Sequence, residues 1–249
     1  MKFLIAAAVL AAAFSGASAA AAELKVLSAG AIEPGLARVV DAFRRASGTE
    51  VKLQFNTAPQ ITKKLADGET ADVVIAPPGV LDAEVSAGKL SADGRIMLGR
   101  VGAGVFVRTG ATPPDISSDA TLKQALLGAD SIVYNTASSG QYIAKMIEKF
   151  GIADQVKAKT TRYPDAGAVV EHVAKGKDNE IGFAPIPEIK LGEPKGVTLV
   201  GPLPGDLQNY TTYAAAEHTG ATAKDAAKAF LTYLAAPEAK QTFKEAGIE

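Results

Sequence analysis

Short apolar strands alternate with amphipathic helices from the start of the mature-like sequence, and that alternation leaves few folds open. Leu24–Ser28 reads as an extended apolar segment, followed by a small Ala29–Gly30 turn. From about Ile32 to Ala46, Leu36, Val39, Val40 and Phe43 recur at helical spacing, and Pro34 suits a first helical turn. Glu50–Phe55 alternates like a strand, with Val51, Leu53 and Phe55 on one face, and Ile61 and Leu65 mark the inner face of the next helix. Asp72–Ala76 is a continuous apolar run of the buried parallel-strand kind, closed by Pro77–Gly79 and followed by a helix over Leu81–Ala87. Strand, helix, strand, helix, strand with short links predicts βαβ units around a parallel sheet.

The pattern then breaks and restarts. Ile96–Arg108 reads as one long extended stretch, and Gly99, Gly102 and Gly104 within it predict bending or close backbone approach. Helices are expected over about Asp119–Leu127, Ser139–Phe150 and Ala166–Lys175, and strands over Ser131–Tyr134, Ile181–Phe183, Val197–Val200 and Thr211–Ala216. Helices over Thr222–Leu234 and Pro237–Glu245 close the chain. The expected organisation is two α/β lobes: residues 23–104 begin lobe 1, 105–205 form lobe 2, and 206–249 return to lobe 1, with the strand near Thr211 as a second crossing.

Residues 1–22 read as a signal peptide. Lys2 supplies the positive start, Phe3–Phe14 the apolar run, and Ser15–Ala19 the small residues before a cleavage site between about Ala19 and Ala22. The expected location of the rest is therefore the periplasm. No second stretch approaches the ~18 apolar residues that span a bilayer. A formal charge of −1 offers no basic surplus for nucleic acid. Cysteine is absent, which excludes disulfides, thiolate metal sites, a cysteine nucleophile and a lipidated cysteine. The two histidines, His172 and His218, have no partner at metal spacing and read as structural, so neither a metal nor a cofactor is expected.

In open α/β sheets ligands sit beyond the carboxyl ends of strands. Here those ends are small or polar turns that open helices: Ser28–Ile32, Asn56–Gln60, Asn135–Tyr142 and Pro164–Gly167. Free N–H groups and the positive dipole end at several helix origins make an anion site without formal countercharge. The same turns also fit plain capping: Thr57 with Gln60 and Ser138 with Gln141 match a capping box, and Asp165 an N-cap. Ser138 and Ser139 lie in no nucleophile elbow, and the chain has no HExxH or phosphate loop. Asp72 and Asp165 read as cap or strand-edge carboxylates rather than catalytic ones.

Leu27–Ile32, Phe55–Ile61 and Gly68–Ile75, then Ser139-Gly140-Gln141-Tyr142, Glu180–Phe183 and the ending Phe230–Leu234, Pro237–Ala239 and Phe243–Gly247, together resemble the periplasmic molybdate-binding proteins of ABC transporters. The resemblance spans about Leu24–Glu249. It implies a two-lobe type II periplasmic binding fold, each lobe a mixed, mostly parallel sheet flanked by helices, with two crossover strands. It also implies a monomer that captures a small anion for an ABC permease. Carried over, the contact positions are Ala31, Ala58, Ser139, Ala166 and Pro185, and the neighbouring Ile32, Thr57, Ser138, Gly140, Tyr142 and Asp165 complete the candidate set. The family commonly has serine at the first two positions and tyrosine at the last. Alanine has no hydroxyl, and proline has neither hydroxyl nor N–H. Three absent donors at about 1.5–3 kcal/mol each correspond to about 3 to 6 orders of magnitude in affinity, absent compensation from Thr57, Ser138, Ser139, Tyr142, Arg162 or Tyr163. A molybdate- or tungstate-type oxyanion or a small organic anion is the expected ligand, with a larger or less polar anion suiting the enlarged cavity. The protein is expected not to be an enzyme. An exported serine hydrolase using Ser138 or Ser139 and a ligand-sensing protein on the same scaffold stay open.

Overall fold

A computed structural model describes residues 23–249. The export signal read over residues 1–22 lies outside the described residues. Strand β1 (Leu24–Ala29) runs through a 3-10 turn over Gly30–Ile32 into α1 (Glu33–Ser47), which buries Leu36, Val39, Val40 and Phe43, the four residues its periodicity singles out. Then come β2 (Val51–Asn56), α2 (Ala58–Ala66), β3 (Val73–Ala76) and α3 (Pro78–Ser86). β1 pairs in parallel with β2 on one side and β3 on the other, and β3 is buried along its whole length.

The long strand β4 (Ile96–Arg108) leads through α4 (Asp119–Gly128), β5 (Ser131–Asn135), α5 (Ser138–Lys149) and the short α6 (Ala153–Val156) to β6 (Thr160–Tyr163). Next are α7 (Ala166–Ala174), β7 (Glu180–Pro185), α8 (Ile186–Gly192) and β8 (Val197–Pro202). Strand β9 (Tyr210–Glu217) and helices α9 (Lys224–Ala235) and α10 (Pro237–Glu245) end the chain. Strand order is β2-β1-β3-β9-β4-β7-β5-β6, with β8 also paired to β4.

β4 is the first crossing. As far as Gly102 it pairs antiparallel with β9, and from Ala103 onward with β7 and β8. The glycines expected to mark close approach do so. A Cβ on Gly99 would lie 2.7 Å from Glu249 O, on Gly102 3.2 Å from Gln208 Nε2, and on Gly104 2.8 Å from Ile189 Cδ1. The apolar interior divides at the same point. One core gathers residues from Leu24 to Val101 and from Tyr213 to Ile248, including a Phe43–Phe230 edge contact at 5.1 Å. Two further cores, on either face of the second part of the sheet, draw only on residues between Ala103 and Leu207.

Helices α6 and α8 are additions to the pattern read from sequence. Pro185, Pro187 and Gly192 make the α8 segment look like a loop, but Pro187 occupies the first helical turn, where a missing N–H costs nothing.

Candidate functional site

A cavity of about 300 Å³ opens where the two halves of the sheet meet. Lobe 1 contributes Gly30, Ala31 and Glu33 after β1, then Asn56, Thr57, Ala58 and Gln60 after β2, and Tyr213 from β9. Lobe 2 contributes Asn135, Ser138 and Ser139 after β5, Asp165, Ala166 and Gly167 after β6, and Pro185, Glu188, Leu191 and Lys195 after β7. The contributing segments lie at or just past strand carboxyl ends, except Tyr213 within β9, Leu191 near the end of α8 and Lys195 just before β8.

The helix origins are held by side chains of their own segments. Gln60 Oε1 reaches back to accept the Thr57 N–H at 2.8 Å, as the first capping box predicts. Asp165 Oδ1 accepts the Ala168 N–H at 2.8 Å, the expected N-cap. The second predicted box is replaced by a different device. α5 begins at Ser138, and Asn135 Oδ1 accepts both the Ala137 N–H at 2.9 Å and the Gly140 N–H at 3.1 Å, while Asn135 Nδ2 donates to Ser139 Oγ at 3.1 Å. The N–H groups of Ser138 and Ser139, and those of Ala166 and Gly167, occupy the first two helical positions and have no intrahelical acceptor.

Of the candidate residues, Ala31, Thr57, Ala58, Ser138, Ser139, Asp165, Ala166 and Pro185 all line the cavity. Ile32, Gly140 and Tyr142 do not. Ile32 is fully buried in the lobe 1 core. Gly140 is buried against β5, where a Cβ would fall 1.7 Å from Asn135 O, and its N–H is already taken by Asn135. Tyr142 turns into the lobe 2 core and donates its hydroxyl to Leu207 O at 2.8 Å. Arg162 and Tyr163 do not line the cavity either. Arg162 stacks over the Tyr134 ring at 5.3 Å, and the Tyr163 hydroxyl pairs with His172 Nδ1 at 2.7 Å.

Both histidines are engaged in the framework. His172 Nε2 lies 3.1 Å from Glu180 Oε2, and His218 Nδ1 accepts the Gly220 N–H at 3.0 Å. Among the described residues neither histidine hydrogen-bonds Ser138 or Ser139, and the Ser139 hydroxyl is committed to Asn135. Asp72 is a structural carboxylate: its oxygens accept the N–H groups of Lys25, Thr222 and Ala223 at 2.7–2.9 Å. Among the described residues no group of three or more His, Asp or Glu side chains is arranged to hold a metal ion.

The charge in the cavity is mostly acidic. Glu33, Asp165 and Glu188 line it, with Lys195 as the one cation among the lining residues. Glu188 is pushed up to about 8, chiefly by burial, then by the charges of Glu33 and Asp165. Glu33 is raised by burial, opposed by Lys195. Tyr213 is raised by burial and by Glu188, opposed by Thr211. Glu188 escapes sequence reasoning because α8 does, and Asn56 and Asn135 escape it because each reads only as a turn residue. A signal was present: Asn-Thr-Ala recurs at 56–58 and 135–137, after one strand in each lobe. At neutral pH the cavity therefore offers backbone donors, a protonated carboxyl and one ammonium to an anion's oxygens.

Residues 24–249 match the family described as bacterial extracellular solute-binding protein. A curated relative, the aconitate isomerase of a Pseudomonas species, is 33% identical over 236 residues, covering 91% of this chain and 87% of that protein. The periplasmic molybdate-binding protein of Azotobacter vinelandii superposes with a TM-score of 0.72 at 15% identity, covering 91% of this chain and 98% of that one. The sulfate-binding protein SubI of Mycobacterium tuberculosis gives 0.71 at 18%, covering 91% and 86%. PEB3 of Campylobacter jejuni bound to L-phospholactate gives 0.68 at 18%, covering 90% and 98%. These structural likenesses establish the α/β periplasmic binding fold.

Proposed function

The chain belongs to the bacterial extracellular solute-binding protein family, and from that premise we propose that it captures a small, carboxylate-rich organic anion between its lobes. The observation that carries this is the Glu188 carboxyl in the wall of a cavity that helix origins offering N–H groups also line. A compact tetrahedral oxyanion suits this wall poorly. Ala31, Ala58 and Pro185 line the cavity where hydroxyl donors are expected, and three carboxyls stand close to any fixed dianion. An organic polycarboxylate spreads its charge over separate groups, so one end can face the origins of α5 and α7 while another meets Lys195 and Glu188. A volume of about ten water molecules accommodates such a ligand. Delivery to an ABC permease, outside the cytoplasm and as a monomer, belongs to the same proposal.

Two observations favour a second activity on the bound anion. One is the relative named aconitate isomerase. The other is a carboxyl that titrates near working pH inside a cavity, which can both take and return a proton. Aconitate has a methylene carbon and a vinyl carbon flanking one substituted centre. In its ionised form, the minor one beside a bound carboxylate, Glu188 takes a methylene proton, the electron pair moves to form the new double bond, and the proton returns on the former vinyl carbon. The product is aconitate again, with its double bond on the other side and free to differ in geometry. The charge that develops on the carboxylate oxygens faces backbone N–H groups.

Calorimetric titration tests capture. Micromolar binding of cis- or trans-aconitate or citrate, and no heat with molybdate or sulfate, is expected; the reverse order of preference refutes the proposal. Proton NMR of trans-aconitate in deuterated buffer separates carrier from isomerase. Conversion with deuterium entering the methylene position supports catalysis, and binding without conversion leaves a carrier that is not an enzyme.

A further inference from the structure

Resting on the capture of an anionic ligand proposed above, we infer that Glu188 meets a ligand carboxylate as a neutral acid, so that capture above neutral pH takes up a proton. Glu188 lies in the first turn of α8, in lobe 2, yet its side chain reaches lobe 1, with Oε1 3.9 Å from where a Cβ on Gly30 would sit. It therefore stands across the cleft that closes on the ligand.

The groups facing it are Glu33 from α1, Asp165 from the start of α7, Tyr213 from β9, and Lys195 just after α8. The other charges near these elements are committed elsewhere. Arg108 of β4 pairs with Asp178, Arg100 with Glu249, and Glu180 of β7 with His172. Asp165 is held as an acceptor by the Ala168 N–H, and Glu33 has the field of Lys195. Glu188 has neither: among the described residues it makes no hydrogen bond and no ion pair within 4 Å.

A ligand carboxylate entering this cavity adds charge to three acidic groups balanced by one ammonium. Two carboxylates brought together do not both stay ionised. The least costly arrangement places one proton between them, in a charge-assisted O–H···O⁻ bond. Glu188 is the uncommitted group, so it carries that proton. Its value of about 8 in the unliganded cavity sets the range over which the coupling shows, and a bound anion raises it further.

The test is titration calorimetry of the whole protein with trans-aconitate and with citrate, at pH 6.5 and pH 9, in buffers of different ionisation enthalpy. Proton uptake is expected to rise from near zero at pH 6.5 toward one per ligand at pH 9, with affinity falling up to tenfold per pH unit above 8. Glu188→Gln, which keeps a donor but cannot titrate, is expected to bind with no proton uptake and to lose the pH dependence of affinity; a thermal melt confirms that it folds. Wild-type binding at pH 9 without uptake, or wild-type uptake by the variant, overturns the inference while leaving capture standing. No binding of either anion at pH 6.5, where the acid form is fully available, overturns both.

Discussion

At the scale of single residues, Glu188 and Asn135 do opposite things with their polarity. Glu188 is raised above the ordinary carboxylate value of 4.5, so its effect on stability runs against that of a paired acid. Its favourable state, the neutral one, is fully present below about 4.5, and stability is lost as pH rises through about 8. Thermal melts across that range should show the wild type losing about 3–5 °C per pH unit from this group, and Glu188→Gln losing that component. An unchanged slope in the variant assigns the drop to other groups. Asn135 instead uses its buried amide to organise an element. Asn135→Ala leaves the Ala137 and Gly140 N–H groups without their acceptor, at about 1–3 kcal/mol, whereas Ser138→Ala removes an exposed hydroxyl that caps nothing and should stay within about 0.5 kcal/mol. Equal losses in the two variants, measured by urea denaturation, contradict the assignment of the cap.

At the scale of elements, what was legible in the sequence depended on whether a signal was local. α1 announces itself through four apolar residues at helical spacing, and all four are buried. The bounds of α10 match those read from Pro237 to Glu245. The fate of α8 differs because its seven residues hold two breakers, and its helical state comes from packing on α7, β8 and β4 and, across the lobes, on α1. With α8 went the most perturbed carboxyl of the cavity. The cap of α5 escapes the sequence for a related reason: a matching Ser-x-x-Gln spacing cannot reveal that the helix starts at Ser138 itself, with the Ala137 and Gly140 amides held by a strand-end asparagine three residues upstream. Asp72 shows an element-scale tie that was legible in kind but not in reach. Its oxygens join β1 to the segment before α9, some 150 residues away in sequence. Hydrogen bonds from Ala223, Lys25 and Thr222 outweigh burial and hold it below its ordinary 3.8. Its contribution is therefore present above about 3.8 and lost as pH falls through the depressed value. Asp72→Ala should cost about 3–5 kcal/mol at pH 7, and the difference from wild type should shrink progressively as pH falls below about 3.8, read from denaturant midpoints.

At the scale of the whole molecule, the two crossings between the lobes are tied together where they meet. Gln208 sits on the return crossing and clamps the backbone of β4 where its pairing changes lobe. Its Oε1 accepts the Ala103 N–H at 2.9 Å and its Nε2 donates to Ala103 O at 3.0 Å. Oε1 also accepts the N–H of Asn209 at 2.9 Å, and Tyr142 of α5 holds the neighbouring Leu207 carbonyl. Gly102 provides the space for this amide, since a Cβ there would lie 3.2 Å from Nε2. The clamp joins the strands without filling the cavity, so it acts on the opening and not on the ligand. Gln208→Ala removes both bonds to Ala103 but leaves that N–H a weaker acceptor in Asn209 O at 3.3 Å. The expected cost is therefore modest, about 1–2 kcal/mol in stability. The larger expected effect is on lobe geometry. Distances between spin labels on α2 and α5, measured by pulsed electron resonance, should spread over a wider range in the variant without ligand and narrow again when a ligand closes the cleft. Affinity should fall severalfold, because the bound ligand must now order a hinge that was ordered in advance. A variant with lower stability but an unchanged distance distribution places Gln208 among ordinary framework contacts and moves control of the opening to α8 and its contacts with α1.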